Sequence, residues 1–299
     1  MERFKDMKSL LAAGWMQGAI PPALLVVLVL VIEVAAPGFL TGDTLILLLS
    51  NTAVLFILAA GVTFVILIGG IDLSVGSVLA LSMMIMGWTA NVMGLPMAIA
   101  IPIALIASAI SGFAVGVMVT HFRVPAFIAT LAMMSVARGV ANMITDGQQI
   151  VGFPDWFMML AIDRHFGVLT ATVFVMLAVV LVSWIFLKFR AEGRMLYAVG
   201  GNPEVARLAG INVPRVTIAV YVACAVLAGL AGIVLAARLD SVQPSSGLGY
   251  ELDTIAAVVI GGTLLSCGGG RRRGTPVRGV VLRVVPLRPH IASVLAVSP

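Results

Sequence analysis

Apolar residues in this chain run in long stretches. They show neither the alternation of a strand nor the one-sided stripe of a soluble helix. A helix that crosses a bilayer needs about 20 apolar residues, so intervals free of charge measure the spans. Residues 9–32, 44–71, 166–187 and 216–237 each hold one. Residues 73–122 carry no charge, which leaves room for two spans divided around Asn91, Gly94 and Pro96. Another runs from about Pro125 to Ile144 with Arg138 inside it, and a shorter apolar run at 254–266 makes an eighth. The pattern predicts an all-α fold, a polytopic membrane helix bundle of about eight spans. The bundle should occupy residues 1–266, with a loop at 190–215, ahead of an Arg/Pro/Gly-rich tail at 267–299.

Charge orients the bundle. Arg3, Lys5 and Lys8 precede the first span, and Lys188, Arg190, Arg194, Arg207 and Arg215 lie between the sixth and seventh. Counting spans puts both groups on one side, together with the His121-Phe122-Arg123 turn. An excess of Lys and Arg marks the cytoplasmic side, so the N-terminus is expected in the cytoplasm. Mixed charge at Glu2 and Asp6 favours an uncleaved first helix over a signal peptide.

Composition agrees. Of 299 residues 61% are hydrophobic and 10% charged, with mean hydropathy +1.15. These values exclude a soluble domain and a disordered chain. The net charge of +5 is uneven, because residues 264–299 hold six arginines and no acid. No lysine follows a G-x-x-x-x-G, so a Walker A phosphate loop is absent. Cys224 and Cys267 have no metal-ligand spacing, and the histidines are scattered, so no metal site is expected.

Four segments carry candidate chemistry. In Gly69-Gly70-Ile71-Asp72-Leu73-Ser74-Val75-Gly76-Ser77, Asp72 or Ser74 can cap the following helix. The segment reads as a capped cytoplasmic turn or as a break in the membrane that gates a pathway. Residues Gly200 to Gly210 read as a short helix: Asn202 as N-cap, Pro203 at the first position, Glu204 pairing Arg207, and Gly210 after the C-cap. Val205, Leu208 and Ala209 give it an apolar face. So short a helix is unstable alone in water; it lies on the membrane interface or its own protein, or seats in a partner's groove. Arg138 either snorkels outward or faces a protein interior, with the amides Asn142, Gln148 and Gln149 nearby. Glu251 and Asp253 open a late helix, where the helix dipole favours acids. Small residues recur every four positions at Ser108, Gly112 and Gly116, and at Ala225/Gly229 and Ala228/Gly232, the spacing of closely packed membrane helices.

GGIDLSVGSVLAL, FRVPAFIATLAMMSVARG, GRMLYAVGGNPEVARLAGINV and LGYELDTIAAVVIGGT together resemble the permease subunit of bacterial ABC importers of the ribose/xylose/galactoside type. The resemblance covers residues 40–266. It implies an inner-membrane permease dimer, surrounded by lipid, that takes a sugar from a periplasmic binding protein. A separate cytoplasmic ATPase, which holds the ATP and Mg, drives it. This chain is then expected to carry no cofactor, to be no enzyme and to bind no nucleic acid. By position, Gly201, Asn202, Pro203, Glu204, Ala206, Arg207 and Gly210 match the family's ATPase-coupling loop. Asp72, Ser74 and Gly76 match its membrane-break motif. The pathway candidates are these three with Arg138, Asn142, Gln149, Glu251 and Asp253.

The resemblance stops near Cys267, where Cys-Gly-Gly-Gly-Arg-Arg-Arg-Gly-Thr-Pro replaces the expected late helices. A frameshift would account for this; a natural basic tail that binds anionic lipid is the alternative. Two rival functions remain at this level. One is a truncated, non-transporting membrane protein. The other is an ion-gradient-driven secondary transporter, which would need ionisable residues at the membrane midplane.

Overall fold

The computed structural model describes residues 30–31, 33–34, 41–165 and 169–260. The expected first span at 9–32 lies almost wholly outside these residues, and the tail at 267–299 with Cys267 lies outside them altogether. The helices are α1 (Gly42–Leu67), α2 (Val75–Gly87), α3 (Met97–Thr120), α4 (Ala126–Met143), α5 (Asp155–Ile162), α6 (Ala171–Phe189), α7 (Ala191–Gly201), α8 (Pro203–Leu208), α9 (Val213–Leu239) and α10 (Tyr250–Ile260). A π-helical turn at Trp88–Val92 continues α2. Two-residue strands form two antiparallel pairs. Ile150–Val151 (β1) pairs with Ser241–Val242 (β4), and Arg164–His165 (β2) with Leu169–Thr170 (β3).

Six of these helices are long and apolar enough to span a bilayer: Ile46–Leu67, Val75–Val92, Met97–Thr120, Ala126–Met143, Ala171–Phe189 and Val213–Leu239. These six are counted among the described residues, so the expected count of about eight is neither reached nor contradicted. The run at 254–266 is described only as far as Ile260, where it belongs to α10, which starts at Tyr250.

Helices α2, α3 and α9 make the centre. The small residues act as expected. A Cβ on Gly112 would overlap the Tyr221 carbonyl oxygen and meet the Ala225 Cβ at 2.7 Å, and one on Gly116 would reach the Ile218 Cα at 2.8 Å. Gly229 packs against Ser108 in the same way. Bare backbone therefore lets α3 and α9 touch along their length, which is how helices associate in lipid. The Ser82 hydroxyl donates to the Gly229 carbonyl at 3.2 Å and ties α2 to α9. Leu79, Met83, Met84, Met86, Ala228 and Ala231 fill the space between at zero exposure. By contrast α4 leaves Phe127, Ile128, Val136, Val140 and Met143 exposed.

Candidate functional site

The first candidate is built by caps. The Asn202 Oδ1 accepts from the Glu204 and Val205 amides at 3.0 and 3.1 Å. Pro203 takes the first helical position of α8, where its missing N–H costs nothing. Arg207 donates to the Glu204 Oε2 at 3.1 Å. Gly210, at φ +85°, turns the chain out of the helix and donates to the Arg207 carbonyl. Only Ala206 is buried; Val205 and Leu208 stand 59% and 81% exposed. The apolar face of α8 therefore does not rest on the described part of its own chain.

A second helix, α7, leads into α8, ahead of the helix that the sequence predicts from Asn202. Gly201 ends α7 and is exposed. Gly200 is the anchor. A Cβ there would overlap the Leu67 carbonyl oxygen, so only glycine lets α7 lie against the end of α1. Gly193 makes the same approach to the Phe186 carbonyl at the end of α6.

The second candidate lies inside the bundle. The chain leaves α1 at Leu67, and residues 68–74 are irregular before α2 begins. This segment packs beside α9: a Cβ on Gly70 would meet the Tyr221 hydroxyl at 2.7 Å, and Asp72 adjoins Cys224. Cys224 is eleven residues into α9, or about 16 Å from its start. Asp72 is 2% exposed and Ser74 3%. The Asp72 Oδ1 accepts from the Ser74 amide at 2.8 Å and from its hydroxyl at 2.6 Å. Neither side chain caps α2: Ser74 is the N-cap residue but makes no side-chain bond to the helix, and Asp72 instead holds Ser74. The segment is a break buried among helices, not a turn on the surface.

A second irregular segment meets the first. After α9 ends at Leu239, β4 pairs with β1, and Val242 packs on Gly87 near the far end of α2. Five residues later Gly247 lies against Gly76, at the start of α2. A Cβ on Gly76 would overlap the Gly247 carbonyl oxygen and crowd the Glu251 Oε2. Residues 242–247 thus return along eleven residues of α2, about 16 Å of helix, and α10 starts where α2 starts. Non-helical backbone at this depth must be satisfied inside the protein. Arg138 does that: its Nη1 donates to the carbonyls of Pro244 and of Ser246, the latter at 2.8 Å. Arg138 therefore faces the protein interior. The Glu251 Oε1 accepts from the Gly249 amide at 3.3 Å.

The junction thus gathers Asp72, Ser74, Gly76, Arg138 and Glu251. The other three pathway candidates lie apart: Asn142 is exposed and donates back to the Arg138 carbonyl at 2.8 Å, and Gln149 and Asp253 are exposed. Pro244, Ser246 and Thr254 were missed. A signal for them was present, since Gly249-Tyr250-Glu251-Leu252-Asp253 repeats the Gly70-Ile71-Asp72-Leu73-Ser74 pattern of glycine, acid and leucine.

A separate cavity of about 630 Å³ lies between α1, α6, α7 and α9, walled by Phe64, Val182, Phe186, Leu196, Val220 and Leu227. Its lining is almost wholly apolar and includes none of the pathway candidates. No cluster of three metal-ligating side chains occurs among the described residues.

Comparison with known proteins places this architecture. The family described as "Branched-chain amino acid transport system / permease component" matches residues 44–286. The Ribose import permease protein RbsC of Escherichia coli (strain K12) is 45% identical over 264 residues, covering 86% of this chain and 81% of the relative. That of Bacillus subtilis (strain 168) is 40% identical over 264 residues, covering 88% and 81%. The Fructose import permease protein FrcC of Rhizobium meliloti is 35% identical over 280 residues, covering 89% and 78%. No solved structure matches. With six helices able to cross a bilayer, and with a family match across most of its length, the chain belongs to this family of transport-system permease components as a multi-pass membrane protein.

Proposed function

We propose that this chain is the membrane subunit of an ATP-driven importer in the bacterial inner membrane, and that its cargo is a monosaccharide. A periplasmic binding protein delivers the sugar, a second copy of the chain completes the translocation path, and a separate cytoplasmic ATPase supplies the energy. The N-terminus faces the cytoplasm, on the side of Lys188, Arg190, Arg194, Arg207 and Arg215, as the distribution of positive charge requires.

The observation that carries this reading is α8. A two-turn helix capped at its start by Asn202 leaves Val205 and Leu208 in the open, and it is joined through α7 and Gly200 to the end of α1. Two turns of helix gain little stability alone. A preformed helix with an unfilled apolar face fits a groove on a cytoplasmic protein. Movement of α8 reaches the bundle through α1, whose last turns adjoin the break at Asp72. Relatives that import ribose and fructose support a sugar as the cargo. The ATP-binding residues belong to the partner.

The test is co-expression with a cognate ATPase and binding protein. Sugar-loaded binding protein should stimulate ATP hydrolysis in vesicles holding all three. Exchanging the charges, Glu204→Arg with Arg207→Glu, should weaken recovery of the ATPase with the permease while membrane insertion is kept. Undiminished recovery would reject α8 as the docking element.

A further inference from the structure

We propose that Arg138, Ser246, Glu251 and Thr254 form the site that holds the hydroxyls of the sugar as it passes, a site that opens when the two irregular segments part. This rests on the importer reading above and names the groups that contact the cargo.

Buried polar atoms nearly always have a partner, and those without one call for an explanation. Among the described residues four buried side-chain atoms lack a partner: the Arg138 Nε, the Ser246 Oγ, the Thr254 Oγ1 and the Trp184 Nε1. Three of the four fall at the junction of α2 and α10. Ser246 is 7% exposed and Thr254 is fully buried. Arg138 already grips the backbone of Ser246 at 2.8 Å, so its free Nε lies within one residue of the free hydroxyl. Glu251 acts on Arg138 electrostatically, and Thr254 follows it by one helical turn on the same face.

The chemistry of the four side chains selects the ligand. Arginine only donates hydrogen bonds, an ionised glutamate only accepts them, and the two hydroxyls do both. A polyol satisfies all four, because each of its hydroxyls both donates and accepts. Arg138 and Glu251 balance in charge, so the site suits an uncharged ligand. A free amino acid could pair its two charges with Arg138 and Glu251, but an aliphatic one would leave the hydroxyls of Ser246 and Thr254 without partners. The site also lies where two helices begin beside non-helical backbone, the arrangement that lines substrate paths inside membranes.

The experiment uses the full chain, purified in detergent, and follows its melting temperature with D-ribose, D-xylose, D-galactose and D-fructose. Weak ligands register by mass action at about 1–100 mM. At least one sugar should raise the melting temperature of the wild type, and L-leucine should not. Ser246→Ala and Thr254→Val should each cut that rise at equal sugar concentration. Both variants remove an unpartnered hydroxyl, so without sugar they should melt no lower than the wild type, which separates lost binding from lost folding. In vesicles with ATPase and binding protein, each variant should lower uptake of the same sugar by up to about tenfold, the effect of one lost hydrogen bond. Equal sugar-induced shifts in wild type and both variants would overturn the site. So would no shift with any of the four sugars. If the variants transport normally, the site falls and the importer stands. If the wild type transports nothing yet shows a shift that the variants reduce, the importer reading falls and the site stands.

Discussion

Gly76 and Gly247 meet backbone to backbone. A Cβ on the first would overlap the carbonyl oxygen of the second, and a Cβ on the second would come within 2.8 Å of the Gly76 carbonyl oxygen. The two residues are far apart in sequence and belong to the two irregular segments. Their contact is what brings α2 and α10 to a common starting point.

Gly76→Ala should therefore destabilise the bundle, because the obstacle is backbone and not a side chain that can swing away. Overpacking of this kind costs about 1–3 kcal/mol, a loss of several degrees in melting temperature. Gly247→Ala adds strain, since φ is +71° there, a region that costs a residue with a Cβ about 1–2 kcal/mol. The double variant should lose less than the sum of the singles, because both disturb one contact. Melting curves of the three variants in detergent check this ordering; equal stability of Gly76→Ala and wild type would refute the contact.

Asp72 gives a graded series. Asp72→Ala removes the acceptor for the Ser74 amide and hydroxyl, and a buried polar group left without its partner costs about 1–3 kcal/mol. Asp72→Asn keeps an oxygen in the same place and should melt within a few degrees of wild type. Ser74→Ala keeps the backbone bond at 2.8 Å and should fall between the two. A Ser74→Ala variant as unstable as Asp72→Ala would show that the hydroxyl, and not the backbone, is what the carboxylate holds.

The spans were legible because lipid leaves only one solution for a long apolar segment, a helix that satisfies its own backbone. The pairs α2 with α3, divided between Val92 and Met97, and α6 with α9 follow the charge-free intervals within a few residues. Helix α8 was legible for a different reason: Asn202, Pro203, Glu204 and Gly210 each act within the helix itself. Helix α7 was not, because Glu192, Gly193, Arg194 and Gly200 interrupt its short apolar run. It is held by bare backbone laid on Leu67 and Phe186 and by the buried Leu196 and Val199, which is tertiary information. The junction escaped for the same reason. Pro244-Ser245-Ser246-Gly247 reads locally as a surface turn, and only Arg138, more than a hundred residues away, makes it tolerable inside. The glycine–acid–leucine repeat marked the two ends of the junction without revealing that they touch.

Arg138 can be tested as a structural clamp apart from any ligand. Arg138→Met fits the space but leaves the Pro244 and Ser246 carbonyls without a donor. Each stranded buried acceptor costs about 1–3 kcal/mol, so the variant should melt well below wild type. The loosened segment should also become open to limited proteolysis between β4 and α10. Resistance equal to wild type would show that the segment holds its course without the arginine.

Gly200 should matter to coupling more than to folding. Gly200→Ala cannot keep α7 against Leu67, yet α7 lies outside the bundle centre formed by α2, α3 and α9. The bundle should keep its melting temperature within a few degrees. The ATPase should still bind, because α8 retains its caps and its exposed face. Stimulation of ATP hydrolysis by sugar-loaded binding protein should fall, since the link between α8 and α1 is displaced. A variant that couples normally would remove Gly200 from the path of transmission.

Leu208 supplies the cleanest separation of docking from stability. Its side chain is 81% exposed, and substitution at such a surface position changes stability by no more than about 0.5 kcal/mol. Leu208→Asp should therefore leave the melting temperature of the isolated chain unchanged. At an interface the same change removes an apolar anchor and buries a charge without a counter-charge, which costs far more. Recovery of the ATPase with Leu208→Asp should drop at least tenfold, while Leu208→Met should retain it. Asn202→Ala gives the complementary case: it leaves the apolar face intact but unpins the start of α8 by about 1 kcal/mol. It should weaken recovery less than Leu208→Asp does, because the partner can re-form the helix on binding. The reverse order would mean that the ATPase reads the shape of the capped turn and not the apolar side chain.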